Sequence, residues 1–203
     1  MARPENLPAV LAYFNGRAAG YDAAGRRGLW AWQRRRETAA VLALAGPIAG
    51  RSVLDLGSGS GFYARLLAAR HAAPVVAVDA APAMLAQLDV PTIERVAGDA
   101  ARIDLGRRFD LVILAGVLEF VGDPGAVLAN ACRHLAPGGT VVTLAPPANP
   151  AGRLYRLFHC RHGIDITLFE PGRLSRLASA AGLMVTASRP VRPYGMVHAM
   201  VAR

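Results

Sequence analysis

The sequence predicts a single-domain α/β fold: a doubly wound, mostly parallel sheet with helices on both faces. Three observations carry that prediction. First, the apolar run Val53-Leu54-Asp55-Leu56 enters a glycine turn, Gly57-Ser58-Gly59-Ser60-Gly61, and residues 62–70 then read as a helix. Strand, glycine turn and helix in that order build the ligand corner of open α/β sheets, because glycine lets the backbone turn sharply and approach a ligand with no Cβ in the way. Second, short β-prone runs ending in an acid or a glycine recur downstream, at 74–79 and 93–99. Third, 203 residues at 53% apolar content suffice for one full core, and no apolar run reaches the ~18 residues of a membrane span.

Taken in order, two helices precede the first strand, at 5–15 and 28–45. In the second, Trp30, Glu37, Val41 and Leu44 recur at three- and four-residue steps and share one face, and Gly46-Pro47 stops it. Residues 74–79 form a buried parallel strand with Asp79 at its tip. An acid there either accepts both ribose hydroxyls of a nucleoside or caps the helix after Pro82. The third strand ends in Gly98-Asp99, where Asp99 either accepts from a ligand amino group or closes an Asx turn. Residues 109–121, the longest apolar run, hold the central fourth strand. A helix at 125–135 is closed by Ala136-Pro137-Gly138-Gly139, and 140–145 give a fifth strand. Residues 146–169 are basic, aromatic and His-bearing, and are expected to face substrate from the carboxyl edge of the sheet. A last helix at 171–181 ends at Gly182, and 183–189 and 196–202 pair as strands six and seven, the seventh antiparallel.

The formal net charge is +9 and all 23 basic residues are arginine. A GC-rich genome accounts for scattered arginines; an anionic partner would account for clustered ones. The densest cluster is Arg26, Arg27, Arg34, Arg35 and Arg36 around Trp30 and Trp32. One residue advances 100° around a helix, so these arginines cannot all meet one ligand. A solvated helix is the favoured reading, and contact with an acidic substrate or an anionic membrane surface is the alternative. Cys132 and Cys160 form no metal-spaced cluster, and no metal is expected. The N-terminus lacks an apolar signal segment, which makes the cytoplasm the expected location.

The glycine turn separates two kinds of nucleotide corner. A G-x-G-x-x-G fingerprint would place its third glycine at position 62, which is Phe62. The sequence instead has D-x-G-x-G-x-G, and it closely resembles motif I of the class I S-adenosylmethionine-dependent methyltransferases. The resemblance runs from about residue 13 to the C-terminus. Ala80-Ala81-Pro82-Ala83-Met84-Leu85 resembles the family's D-x-S-x-x-M-L turn, with Ala81 in the usual Ser place. Leu135-Ala136-Pro137-Gly138-Gly139 matches its L-x-P-G-G turn. Tyr13-Phe14 and Ala18–Asp22 resemble the N-terminal element of the quinone-biosynthesis branch, which folds over the cofactor as a lid. Phe120 stands where many relatives carry His.

The resemblance implies a Rossmann-like, seven-stranded sheet, with residues 1–46 as helical lid, 47–145 as cofactor-binding core and 146–203 as substrate-side insert and C-terminal strands. It implies S-adenosylmethionine as cofactor, held by Asp55, Gly57, Ser58, Gly59, Asp79, Ala80, Gly98, Asp99, Ala100 and Ala115. Met84 would flank the adenine, and Tyr21 would lie near the sulfonium, where an aromatic face suits a cation. The function it implies is methyl transfer to a small-molecule acceptor, acidic or hydrophobic, through an O-, N- or C-nucleophile. The alternative is a binding or partner protein that keeps the fold without turnover. Nucleic acid is set aside, because Ala145-Pro146-Pro147-Ala148 lacks the polar first and aromatic fourth residue of amino-directed enzymes. Positioning alone supplies much of such a reaction's barrier reduction, so no base need be obvious. His159 and His162 are the candidates, and Glu119 is either a base or only a polar residue at a strand mouth.

Overall fold

The structure, a computed structural model, describes residues 7–24 and 28–203. Strands β1 (Val53–Leu56), β2 (Val75–Asp79), β3 (Ile93–Ala97), β4 (Phe109–Ala115), β5 (Leu135–Ala145), β6 (Leu183–Val191) and β7 (Gly195–Ala202) form one sheet in the order β3-β2-β1-β4-β5-β7-β6. Neighbours run parallel except β7, which is antiparallel to both β5 and β6. The chain reverses its direction of winding between β1 and β4, and the carboxyl edge opens at that point.

The helices are α1 (Leu7–Ala24), α2 (Gly28–Ala45), α3 (Phe62–Ala68), α4 (Pro82–Leu85), α5 (Pro124–Arg133), α6 (Pro150–Cys160) and α7 (Arg173–Ala180). Alternate side chains of each strand go to opposite faces. Leu54, Val76, Val112 and Leu114 meet Leu128 of α5 and Leu174 of α7 on one face. Val53, Val75, Leu111 and Ile113 meet Val41 of α2 and Leu67 of α3 on the other. Both faces are therefore dry, which is why the strands read as unbroken apolar runs. Truncating a large side chain in such a core typically costs ~2–5 kcal/mol.

Four local readings are corrected. The first helix does not stop at 15: it continues to Ala24, so Tyr21 and Asp22 are helical rather than connecting. Val10, Phe14, Ala18 and Tyr21 recur on its inner face, against residues 164–166 and α4. Gly16 and Gly20 fall on its open side and cost little packing. Trp30 does not pack inward beneath Val41; it is 47% exposed and its ring lies 6.0 Å from that of Phe158.

The Pro-Gly-Gly stretch is not a plain turn. Leu135 already pairs with Phe109, and the register then jumps to Leu111 with Thr140, so five β5 residues span two of β4. Gly138, at φ 75, takes the left-handed bend that this bulge needs. Last, residues 146–169 contain a helix, α6. Asn149 caps it by accepting from the Gly152 N–H at 2.7 Å, and Pro150 supplies the fixed φ of a first turn.

Candidate active site

Register alone brings the three candidate turns to one edge. Leu56 pairs with Val78, and Asp79 with Ala97. Beyond those pairs, the Gly57 and Ser58 N–H groups both donate to the Val78 carbonyl at 2.8 Å, and the Gly98 N–H donates to that of Asp79 at 3.0 Å. Gly57 has φ 80, and a Cβ there would lie 2.4 Å from Val117 Cγ2, so no other residue fits. Asp79 ties two turns together: Oδ2 accepts from Gly59 N–H at 2.7 Å and Oδ1 from Ala81 N–H at 2.8 Å. It is not the cap of α4, whose N-cap position is Ala81. A carboxylate has about four acceptor sites, and these two bonds leave Asp79 capacity towards the cavity it lines. Burial raises its carboxyl, and the Ala81 and Gly59 N–H bonds oppose that rise.

A cavity of about 360 Å³ opens over this edge. Of the predicted cofactor residues, Tyr21, Gly57, Ser58, Gly59, Asp79, Ala80, Met84, Gly98, Asp99, Ala100 and Ala115 line it. Asp55 does not. It is 2% exposed behind the glycine turn, where Oδ2 accepts from the Ala64 N–H at 3.0 Å and holds the first turn of α3. Burial pushes its carboxyl up to about 7. Asp99 closes an Asx turn onto the Ala101 N–H at 2.9 Å, one of the two sequence readings of it, and it also lines the cavity. The cradle fits a nucleoside with an amino-acid tail. Ser58 Oγ is buried without a partner. A Cβ on Gly59 would crowd Met84 Cε at 3.3 Å, so the glycine keeps the space over that methionine open.

α1 roofs this half. Asn15 Oδ1 accepts from the Ala83 N–H at 3.1 Å, and Asp22 pairs with Arg65 and accepts from Ser60 Oγ. α1 is thus fastened to both turns that it covers.

The other half of the cavity lies under α2 and α6. His159 lines it, but its ring is only 5% exposed, Nδ1 has no partner, and burial pushes its pKa down to about 4. Such an imidazole is neutral and weakly basic at neutral pH. His162 does not line the cavity; it is exposed, 3.3 Å from the Arg17 guanidinium. Glu119, read as a base or as a strand-mouth residue, is 4% exposed and lines the cavity, and Oε2 has no partner. Burial drives its carboxyl up to about 8.

Gln33, Glu37, Tyr155 and Tyr194 also line this half and escaped sequence reading. Glu37 was legible as one of a helix face and Tyr155 as one of a basic aromatic stretch, but nothing in the spacing joins 155 to 194. Their rings stack at 4.9 Å and 8°. The arginine cluster does not act as one surface: Arg34 lies 4.7 Å over Phe62, Arg36 lies 4.6 Å over Trp32, and Arg26 and Arg27 fall outside the described residues.

Residues 54–143 match the family model described as a methyltransferase domain. A trans-aconitate 2-methyltransferase of Methylobacterium radiotolerans is 33% identical over 73% of this chain and 60% of its own length. A ubiquinone biosynthesis O-methyltransferase of Pseudomonas fluorescens is 30% identical over 68% of this chain and 66% of its own. The chain belongs to the class I S-adenosylmethionine-dependent methyltransferases. It spans less than two thirds of the length of these two curated relatives. Among solved structures, the DhpI complex with S-adenosylhomocysteine superposes with a TM-score of 0.75 at 23% identity, covering 96% of each chain. Magnesium protoporphyrin IX methyltransferase of Synechocystis, with S-adenosylhomocysteine bound, superposes with a TM-score of 0.73 at 16% identity, covering 97% of this chain and 99% of that chain. Those likenesses bear on the fold. No helix among the described residues is long and apolar enough to cross a membrane.

Proposed function

We propose that this protein transfers the methyl group of S-adenosylmethionine to a small-molecule acceptor, and that it does so in the cytoplasm. The observation that carries this is one continuous cavity. It runs from the Gly57, Asp79 and Asp99 turns to an aromatic chamber under α2 and α6. When bound, the cofactor supplies an electrophilic methyl on a sulfonium. The chain's task is to hold a nucleophile in line with that methyl and to exclude water, which is where most of the available barrier reduction lies.

Asp79 would take the ribose hydroxyls on its free acceptor positions. Asp99 and the Ala100 N–H would read the adenine, and Met84 would flank it. The Gly57–Gly59 turn and Ala115 would receive the amino-acid end, and Tyr21 on α1 would stand near the sulfonium. Asp55 has a positioning role through α3. The size of the chamber supports a small acceptor, as do the names of the two curated relatives, a trans-aconitate 2-methyltransferase and a ubiquinone biosynthesis O-methyltransferase. The scattered orientations of Arg34 and Arg36 support a solvated helix rather than a nucleic-acid or membrane surface.

Titration calorimetry tests the reading: S-adenosylhomocysteine and S-adenosylmethionine are both expected to bind, and NAD is not. Binding of NAD with neither adenosyl compound would overturn it.

A further inference from the structure

The chamber beyond the cofactor turns has an unusual chemical balance. Its walls are aromatic: Trp30 comes from α2, Tyr155 and Phe158 from α6, and Tyr194 from the loop before β7. The Trp30 ring lies 6.5 Å from Tyr155 and 6.2 Å from Tyr194. Into this box two carboxyls project from distant parts of the chain, Glu37 on α2 and Glu119 beyond β4.

Two of the polar atoms left open here, on Gln33 and Glu119, are carbonyl or carboxyl oxygens. Gln33, 3% exposed and lining the cavity, gives its Nε2–H to Glu37 Oε1 at 2.8 Å, and its own Oε1 has no partner. Glu119 Oε2 is likewise buried and unpartnered. Unmade bonds of this kind are costly unless a ligand supplies the donors. Nor is either carboxyl paired with a cation: among the described residues no ion pair forms with Glu37 or Glu119. Arg34 is the nearest offset to Glu37, and it is engaged with the Phe62 and Tyr21 rings. Arg17 stays at the rim, 4.5 Å over Tyr13. Burial raises both carboxyls; the Gln33 hydrogen bond and the Arg34 guanidinium oppose the rise at Glu37, and the Glu37 charge adds to the rise at Glu119.

We propose that the acceptor carries a basic nitrogen, held as an ammonium between Glu37 and Glu119 inside the aromatic box. An ammonium supplies several donors and a positive charge at once, and the faces of Trp and Tyr attract such cations. An ammonium entering beside them draws both carboxyls towards the charged form, whereas a carboxylate entering the same chamber would meet acceptors and no paired cation. This inference rests on the methyltransferase reading for the identity of the neighbouring half-site, and it narrows the acceptor to amine-bearing molecules with an apolar or aromatic body.

Three probes of one shape decide it: 2-phenylethylamine, 2-phenylethanol and 3-phenylpropionate. Each is titrated at neutral pH, by ligand-observed NMR, into the free protein and into protein saturated with S-adenosylhomocysteine. Saturation is measured first by calorimetry, so a failure of the methyltransferase reading appears there and not in the probe titrations. The amine is expected to bind about tenfold or more tighter than the alcohol or the acid, a difference of ~1.4 kcal/mol. Glu119→Gln should erase most of that preference, and Glu37→Gln provides the same test should the buried Glu119 variant fail to fold. Equal binding of the three probes, tighter binding of the acid, or a preference unchanged in the folded variants would overturn the proposal. So would a Glu119→Gln protein that keeps its amine preference but loses affinity for S-adenosylmethionine relative to S-adenosylhomocysteine. In that case the acids answer the sulfonium.

Discussion

Asp79 joins two turns through Oδ1 and Oδ2, which makes it a structural strut, and its remaining acceptor positions are the ones proposed for the ribose. Asp79→Ala is therefore expected to weaken S-adenosylhomocysteine binding by ~1–3 kcal/mol, the usual cost of leaving partners of a charged acceptor unpaired. Calorimetry on the folded variant checks it. Full affinity would mean that Asp79 only braces the Gly59 and Ala81 backbone. His159 shows the reverse case, a residue type that drew attention by its chemistry. Tyr155 and Phe120 crowd its ring at 4.6 and 5.2 Å, and the apolar surroundings that hold the imidazole in place also hold it neutral.

At the scale of elements, α1 is the part whose removal separates folding from binding. It contributes Tyr13, Phe14 and Tyr21 to the cavity and Val10 to a small satellite cluster, while the two main core layers draw on none of its residues. Deleting residues 1–24 should leave the sheet folded by circular dichroism, weaken cofactor binding strongly and abolish turnover. A truncated protein with undiminished affinity and activity would show that α1 is no lid. The attachment is local: the Asp22–Arg65 pair is only about three-quarters buried on each side and is worth about 1 kcal/mol or less by itself. The helix is held down mainly by the apolar contact of Ala18 and Tyr21 with Met84 and Ala83 of α4.

For the whole molecule, the site's buried acids set a pH dependence. Asp55 rises from 3.8 to about 7 and Glu119 from 4.5 to about 8 on folding. Both therefore bind their proton more tightly in the folded state. Their contribution to stability is complete below about pH 4 and is lost as pH rises through those folded values. His159, lowered from 6.5 to about 4, acts in the opposite sense: the stability of its neutral form is lost as pH falls through about 4. Thermal melts of ligand-free wild type and of Asp55→Asn/Glu119→Gln isolate the acids. The variant should gain on wild type steadily between about pH 4 and pH 8. A difference that stays constant across that range would show that neither carboxyl is raised by folding.

The sequence by itself determined the scaffold and the turns proposed to hold the cofactor, since both are written in short local patterns. Val53–Leu56 and Val75–Asp79 are apolar because both sheet faces are covered. Gly57 is glycine because its left-handed backbone and the approach of Val117 admit nothing else. Asp79 and Asp99 end strands, and parallel register carries strand ends to one edge whatever the rest of the chain does. α6 was not read from the sequence, although its cap and first turn, Asn149-Pro150, are a local signal for it. The acceptor half was not legible, because it is made by contacts between segments far apart in the chain. Helical spacing places Glu37 on a face but not opposite Glu119, and no period relates Tyr155 to Tyr194, which stacks on it. Nor does sequence reveal that Asp55 is sealed behind its own turn while Glu119 stands inside the cavity. Burial decides which carboxyl meets a ligand, and burial is a property of the packed molecule.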